Sequence, residues 1–218
     1  MAYRALLFDL DGTLLDTLRD IADSVNRALT SLGFPQHELD AYRYFVGEGV
    51  EALATRALPE NRRDQITVSK LTARIDEEYS LRWANNSRPY RGIPELLDNL
   101  TGLGIRLAVL SNKAQGFAEK TVSRLLPYWH FELVVGAVPS VPKKPDPAAA
   151  LQIARQMDLM PGEFLYLGDS AVDMKTASAA NMYPVGALWG FRTADELLSG
   201  GAKALVKEPL DVLSLLYD

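Results

Sequence analysis

The sequence contains no cysteine, and this absence removes several kinds of chemistry at once. Disulfides, thiolate metal ligands and a thiol nucleophile are all excluded. Histidine is scarce as well: only His37 and His130 occur, and neither has a partner at the spacing of a metal site or a catalytic triad. The chemistry of this chain must therefore use oxygen or nitrogen groups, and a histidine is not expected to carry it.

Two other features are missing: a hydrophobic run long enough to span a bilayer, and a cluster of basic residues larger than the pairs Arg62-Arg63 and Lys143-Lys144. The formal net charge is −5. We therefore expect neither nucleic acid nor membrane as a partner, but a small substrate. Because the first apolar run begins within a few residues of Met1 and leaves no room for a signal peptide, we expect a cytoplasmic location.

The domain organisation follows from the spacing of apolar residues. Of the 218 residues, 48% are hydrophobic, enough to bury a full core. From residue 16 to about 86 the spacing is mostly helical, with breaks at Gly47-Glu48-Gly49 and Pro59. From residue 87 onward strands and helices alternate, which is typical of a parallel sheet. The sequence predicts an α/β core domain over 1–15 and 87–218, with a helical domain inserted over 16–86.

Within the core domain the pattern predicts a series of strands separated by helices. The predicted strands are 5–8, 106–110, 131–135, 164–167, 183–187 and a weak one near 204–206. The predicted helices lie near 93–103, 115–126, 147–158, 171–180, 194–199 and 210–216. Right-handed crossovers would bring the carboxyl ends of these strands to one edge of the sheet.

Polar residues follow most of these strands, at the point where each strand ends. They are Asp9 and Asp11 with Gly12-Thr13 after the first, Ser111-Asn112 after the second, and Gly168-Asp169-Ser170 with Asp173 after a later one. Lys143-Lys144 comes just before a helix and can reach the same edge. Open α/β sheets bind ligands there, so we expect one cleft that holds four acids and a lysine.

Such a cleft requires a cation, because two like charges about 4 Å apart cost about 4 kcal/mol at an effective dielectric of about 20. Oxygen ligands without histidine or cysteine suit Mg²⁺. We expect Asp9 and Asp169 to be carboxylate ligands, with Asp173 as a further ligand or as an acid behind them. A lysine beside the metal predicts an anionic substrate, namely a phosphate.

Four motifs in this order resemble those of the haloacid dehalogenase-like phosphohydrolases, over the whole chain. They are Asp9-x-Asp11-Gly12-Thr13, Ser111-Asn112, Lys144-Pro145-x-Pro147 and Gly168-Asp169-Ser170-x-x-Asp173. The resemblance implies a Rossmann-like core and an Asp9 nucleophile that forms an aspartyl-phosphate. Asp11 would be the general acid and then the general base, and its carbonyl would bind the metal.

The same resemblance assigns the groups that hold the phosphate. Ser111 and the backbone around Asn112 would donate to the phosphoryl oxygens, and Thr13 would bind substrate. Lys144, favoured over Lys143 by its spacing to the proline, would stabilise the charge of the transition state. The second aspartate, Asp11, separates phosphatases and phosphomutases from the dehalogenase branch, which has no acid there.

The helical insertion resembles the small cap of the subgroup that includes phosphoglycolate phosphatase, β-phosphoglucomutase and pyrophosphatases. Gly47 and Gly49 would let backbone amides approach a substrate carboxylate. Glu48 between them would oppose an anion, and Arg56 would compensate. These features favour 2-phosphoglycolate as substrate. The alternatives are a sugar-phosphate phosphatase or β-phosphoglucomutase, an inorganic pyrophosphatase, and a non-catalytic relative that binds a phosphorylated ligand. The expected assembly is a monomer or homodimer.

Overall fold

The computed structural model describes residues 3–217, and the chain forms two compact units. The first runs up to Leu15 and resumes at Pro89, and the second is Asp16–Arg88. We call them the α/β unit and the helical unit. The chain leaves the α/β unit once and returns to it once. No helix among residues 3–217 is both long and apolar enough to cross a lipid bilayer.

Eight strands occur between residues 3 and 217. They are β1 (Ala5–Phe8), β2 (Leu15–Asp16), β3 (Arg88–Pro89), β4 (Arg106–Ala114), β5 (Leu133–Ala137), β6 (Phe164–Gly168), β7 (Tyr183–Ala187) and β8 (Ala204–Val206). Six of them form a parallel sheet in the order β5-β4-β1-β6-β7-β8, and β2 pairs with β3 in a separate ribbon. The predicted α/β fold with a Rossmann-like parallel sheet is confirmed.

Nine α-helices lie in the same described part of the chain. They are α1 (Leu18–Ser31), α2 (Leu39–Phe45), α3 (Val50–Ala57), α4 (Gln65–Arg82), α5 (Ile93–Gly102), α6 (Gln115–Leu125), α7 (Ala148–Gln156), α8 (Ala171–Ala179) and α9 (Ala194–Gly200). Short 3₁₀ helices cover Glu60–Arg62, Pro161–Glu163 and Pro209–Tyr217.

The first strand, β1, lies at the centre of the sheet and is apolar throughout because both of its faces are covered. Leu6 and Phe8 face a core cluster that includes residues of α5 and α6, whereas Ala5 and Leu7 face a second cluster with residues of α7 and α8. The chain builds β4 and β5 on one side of β1, and β6 to β8 on the other. The carboxyl end of β1 is therefore the switch point of the sheet, where folds of this kind bind ligands.

Apart from end shifts of one or two residues, such as β5 at 133–137 where 131–135 was predicted, the structure departs from the predicted elements in three places. β4 continues to Ala114 instead of ending at residue 110, and its pairing with β5 shifts register between Leu110 and Ala114. The last predicted helix, 210–216, is a 3₁₀ helix. The short ribbon of β2 and β3 was not predicted, since a pair of two-residue strands is too short to show an alternating pattern.

The helical unit is tied together by one buried carboxylate. α1 packs on α4, and α3 packs on α4. Asp20, in the first turn of α1, is 1% exposed. It accepts hydrogen bonds from Asn86 and Ser87, which lie a few residues after the end of α4. Its oxygens accept from the Asn86 backbone N at 2.9 and 3.0 Å and from its side-chain N at 2.8 Å. They also accept from the Ser87 backbone N at 2.8 Å and from its hydroxyl at 2.7 Å. Asp20 thus joins the start of the unit to its end.

We expect Asp20→Ala to lower the free energy of unfolding by about 2–4 kcal/mol, because it leaves the buried donors of Ser87 and the partly buried donors of Asn86 without an acceptor. Urea denaturation measures this loss. Asp40→Ala is the control: Asp40 is exposed and its ion pair with Arg43 is long, at 3.5 Å, so it should change stability by no more than about 0.5 kcal/mol. Equal losses in the two variants would show that Asp20 does not hold the unit together.

Candidate active site

The residues after β1 form a tight turn that starts the site. The backbone N of Asp9 donates to the Leu167 carbonyl at 2.9 Å, which continues the pairing with β6. Gly12 then adopts a φ of +91°, and its N donates to the Leu15 carbonyl at 2.8 Å. A Cβ at residue 12 would lie 2.3 Å from the nearest carboxylate oxygen of Asp169. Glycine is needed here both for the backbone conformation and for the close approach of Asp169.

Lys144 is the centre of the buried charge cluster. Its side chain is 2% exposed. Its Nζ donates to Asp9 Oδ1 at 2.8 Å, to Asp173 Oδ1 at 2.6 Å and to the Leu110 carbonyl at 3.0 Å. All three donors of the ammonium are thus used. Lys143 is exposed, so burial distinguishes two lysines that the sequence alone left in competition.

Asn112 fixes the backbone of Lys144. The Asn112 Oδ1 accepts from the Lys144 N at 2.9 Å, and its Nδ2 donates to the Lys144 carbonyl at 3.1 Å. Ser111, beside it on β4, is buried, and its Oγ accepts from the backbone N of Lys113 at 3.2 Å. The Asn112 side chain is therefore engaged with Lys144, and a contact between its backbone and a phosphate stays a prediction.

Asp173 is held by the start of α8. Its Oδ2 accepts from the Ser170 N at 3.1 Å and from the Ser170 Oγ at 2.5 Å. Gly168 allows this arrangement, since a Cβ there would lie 2.3 Å from the Cβ of Asp173. Because Lys144 binds Oδ1, both oxygens of Asp173 are occupied by donors from the protein. This favours the alternative in which Asp173 stands behind the ligands and orients Lys144.

Asp169 is oriented by two segments far apart in the sequence. Its Oδ2 accepts from the backbone N of Phe191 at 2.7 Å, and its Oδ1 accepts from Thr13 Oγ1 at 3.3 Å. Thr13 is fully buried, and its own carbonyl accepts from Trp189 Nε1 at 2.9 Å. Thr13 thus orients Asp169 through its hydroxyl, and the substrate contact expected from the sequence stays a prediction.

The electrostatics of the cluster suit a divalent cation. Oxygens of Asp9, Asp169 and Asp173 lie within 4.8 Å of one another. Burial and the neighbouring Asp173 raise the pKa of Asp9 to about 7, although Lys144 opposes the rise. Burial and the charges of Asp9 and Asp173 also raise the pKa of Asp169 well above its usual range. For Lys144, burial lowers the pKa, but Asp173 and Asp9 outweigh it and raise the pKa well above its usual value. One ammonium does not balance three carboxylates, so the cluster fits a cation with oxygen ligands.

Asp11 lies next to a lysine that the sequence analysis did not single out. Lys113 Nζ donates to Asp11 Oδ1 and to Asp11 Oδ2, both at 2.8 Å. The sequence analysis ended this strand at residue 110 and began the next helix near residue 115, so Lys113 lay between predicted elements. In the structure it belongs to the extended β4.

The three predicted substrate residues of the insertion lie in the helical unit. Gly47 and Gly49 have positive φ values, +128° and +91°, and Gly49 precedes the first residue of α3. Arg56 is the basic residue of the last turn of α3. It donates from Nη1 to the Phe45 carbonyl at 3.1 Å and pairs through Nη2 with Glu48. Arg56 therefore offsets the charge of Glu48. It also connects the segment 47–49, which we call the glycine loop, to α3.

Comparison with known proteins agrees with this geometry. The family model described as haloacid dehalogenase-like hydrolase matches residues 6–187, a span that includes Asp9, Lys144 and Asp173. The chain belongs to the haloacid dehalogenase-like hydrolase family. The match begins within β1 and ends with β7.

Similar proteins place the chain within the family. It is 31% identical over 205 residues to a phosphoglycolate phosphatase of Psychrobacter arcticus, covering 90% of this chain and 88% of that protein. It is 31% identical over 192 residues to one of Aquifex aeolicus, covering 86% of each. A crystal structure from Lactobacillus delbrueckii subsp. bulgaricus, 26% identical, matches 99% of both chains with a TM-score of 0.93. This family member is of the phosphoglycolate phosphatase-like kind, and it is a phosphoric monoester hydrolase.

We expect Gly190→Ala to lower kcat/KM for phosphate monoesters by about 10- to 100-fold, the usual cost of displacing a group that orients a metal ligand. A Cβ at residue 190 would lie 2.2 Å from the Cβ of Asp169 and 2.5 Å from the Gly12 carbonyl oxygen. The variant should also need more Mg²⁺ to reach half of its full thermal stabilisation. Gly162→Ala is the control, because a Cβ there meets nothing within 4 Å. A Gly190→Ala variant with unchanged activity and Mg²⁺ response would show that the close approach of residue 190 does not position Asp169.

The raised pKa of Asp9 predicts how stability depends on pH without a divalent cation. The folded chain holds the Asp9 proton up to a pH of about 7, whereas the unfolded chain loses it near pH 3.8, the ordinary pKa of an aspartic acid. Stability in EDTA should therefore fall as the pH rises from about 4 to about 7. Thermal melts should show that Mg²⁺ restores the Tm at pH 8 and has little effect at pH 5. Asp9→Asn removes this titration, so its Tm should fall less between these pH values, and a fall equal to that of the wild type would contradict the assignment.

Proposed function

We propose that this protein is a Mg²⁺-dependent phosphatase that hydrolyses a small phosphate monoester through an aspartyl-phosphate on Asp9, and that its preferred substrate is 2-phosphoglycolate. One observation carries the proposal: the buried ammonium of Lys144 is shared by Asp9 and Asp173, beside Asp169, at the switch point of the sheet. A carboxylate, a fixed ammonium and a place for a cation meet there. These are the groups that a phosphoryl transfer requires.

Asp9 is the proposed nucleophile. The hydrogen bond from Lys144 fixes the orientation of its carboxylate, and the ammonium offsets charge on the transferring phosphoryl oxygens. In the first step an Asp9 oxygen bonds to phosphorus as the bond from phosphorus to the ester oxygen breaks. In the second step water attacks the same phosphorus and the bond to Asp9 breaks, which releases phosphate and restores the carboxylate.

Asp11 is the proposed acid and base. It gives a proton to the leaving alcohol in the first step and takes a proton from the attacking water in the second. Ser111 and the backbone at Asn112 are the proposed donors to the phosphoryl oxygens. Asn112 and Asp173 support the reaction through Lys144, whose backbone and ammonium they hold.

Asp9 and Asp169 are the proposed carboxylate ligands of Mg²⁺, with the Asp11 carbonyl as a further ligand and Asp173 behind them. The fit rests on burial, and then on the repulsion between neighbouring carboxylates, which together raise the pKa of Asp9 and Asp169. When bound, the cation would neutralise this charge and offset that of the phosphate. Thr13, Trp189 and the backbone of Phe191 keep Asp169 in position for it.

The helical unit is the proposed cap, and its glycine loop the proposed contact for the part of the substrate remote from phosphorus. The Arg56–Glu48 pair supports this, because it offsets the one acid of the loop. The relatives named phosphoglycolate phosphatase support the choice of substrate. A cytoplasmic location and a monomeric or homodimeric state stay predictions.

The test is phosphate release from 2-phosphoglycolate, glucose 6-phosphate, adenosine monophosphate and pyrophosphate, with Mg²⁺ and with EDTA. We expect a Mg²⁺-dependent kcat/KM for 2-phosphoglycolate that exceeds the others by at least about 100-fold, since a site that pairs a substrate charge rejects compounds that lack it. Asp9→Asn should abolish turnover of every compound. Substantial activity of purified Asp9→Asn would refute the assignment of Asp9 as the nucleophile.

The profile of the wild type separates the alternatives. Fast cleavage of pyrophosphate with little release from monoesters would replace the phosphomonoesterase proposal with a pyrophosphatase. Isomerisation of β-glucose 1-phosphate without net phosphate release would indicate a mutase. Tight binding of a phosphate ester without turnover would indicate a non-catalytic relative.

A further inference from the structure

Lys113 is a second buried ammonium in the α/β unit, separate from Lys144. Its side chain is 8% exposed, and that of its partner Asp11 is 12% exposed. Both oxygens of Asp11 accept from Lys113 Nζ, each at 2.8 Å. Lys144 donates to Asp9 and Asp173, whereas Lys113 donates to Asp11, the residue proposed to protonate the leaving alcohol.

Lys113 is held at this place by the strand that carries it. It is the eighth residue of β4, which ends at Ala114, and its backbone N donates to Ser111 Oγ at 3.2 Å. A lysine side chain that ends on two hydrogen bonds to one carboxylate is also restricted in its motion. The ammonium is thus fixed within one hydrogen bond of Asp11.

We propose that Lys113 determines specificity by binding a carboxylate on the leaving alcohol, so that the site prefers phosphate esters with a carboxylate one or two carbons from the ester oxygen. This inference rests on the proposed function, in which Asp11 protonates that oxygen. It adds a residue of the α/β unit to the recognition of the leaving group, for which the sequence analysis named Gly47, Gly49 and Arg56 of the insertion.

The distances allow this contact. To give up its proton, Asp11 must come within roughly 3 Å of the ester oxygen. Lys113 Nζ lies 2.8 Å from either oxygen of Asp11, so it lies within roughly 6 Å of the ester oxygen. In 2-phosphoglycolate a carboxylate oxygen lies roughly 3 Å from the ester oxygen, because only two carbons separate them. Lys113 can reach that carboxylate without leaving Asp11.

The charges favour it as well. A substrate carboxylate this close to the ester oxygen also lies close to the ammonium of Lys113, and opposite charges in a partly buried site attract each other strongly. The ammonium therefore stabilises a bound ester whose leaving group carries a carboxylate. A neutral alcohol gains nothing comparable from Lys113, so the residue distinguishes esters by the charge of the leaving group.

A purely structural role predicts a different result. If Lys113 only orients Asp11, its loss slows every ester to the same extent, because every ester needs the same acid. If it binds the leaving group, its loss slows carboxylated esters more. The test is therefore a ratio of two substrates, which does not depend on the fraction of folded enzyme in a preparation.

The experiment compares 2-phosphoglycolate with 2-hydroxyethyl phosphate, which has the same ester oxygen and carbon number but no charge on the alcohol. In Lys113→Met and Lys113→Gln, the ratio of kcat/KM for the two esters should fall by about 10- to 100-fold, the range for a hydrogen bond to a charged group. Lys113→Arg should keep most of the ratio. Product inhibition by glycolate should weaken in the Met and Gln variants. Lys175→Met, at an exposed position of α8, should match the wild type.

Two results would overturn the inference. One is a fall in both substrates with a ratio that stays within about twofold of the wild type, which would leave Lys113 only a positioning role. The other is a wild-type enzyme that uses the two esters equally well. Failure of the proposed function would look different, as a wild type that releases no phosphate from either ester in Mg²⁺.

Discussion

The structure depends on keeping three carboxylates and one ammonium together at the buried end of a parallel sheet. Lys144 cannot leave Asp9 and Asp173 without exposing two unpaired charges to a medium of low dielectric. The carboxylates in turn need the lysine and a cation to remain ionised together. Much of the surrounding chain serves this one requirement: Asn112 holds the lysine backbone, Ser170 holds Asp173, and glycines at 12, 168 and 190 make room for the acids.

Much of the fold was predictable from the sequence, because the buried strands are continuous apolar runs followed by polar residues. A strand covered on both faces can be read directly, as residues 5–8 were. The order of the motifs then brought Asp9, Lys144, Asp169 and Asp173 to one edge, and the structure places their side chains together there. The spacing to Pro145 favoured Lys144 over Lys143, but which of the two ammonium groups turns inward depends on the local backbone direction, and the structure shows that Lys144 is the buried one.

The sequence did not predict contacts between residues that lie far apart along the chain, because such contacts leave no periodic pattern in the sequence. Thr13 and Asp169 are 156 residues apart, and Trp189 reaches Thr13 across 176 residues. Lys113 was missed for a different reason: the predicted strand ended at residue 110, whereas residues 111–113 continue β4. Polar residues at the end of a strand normally indicate its end, and here buried partners such as Asp11 and Lys144 allow the strand to continue.

The reciprocal amide bonds between Asn112 and Lys144 also bear on how the protein can change during evolution. Because the backbone of Lys144 is anchored to β4, its position does not depend on the partly exposed segment 138–143 that leads to it. That segment can gain, lose or exchange residues while the ammonium stays where it is. Variation in length between relatives should therefore accumulate on the β5 side of Lys144, and the few residues from Lys144 to α7 should keep their spacing.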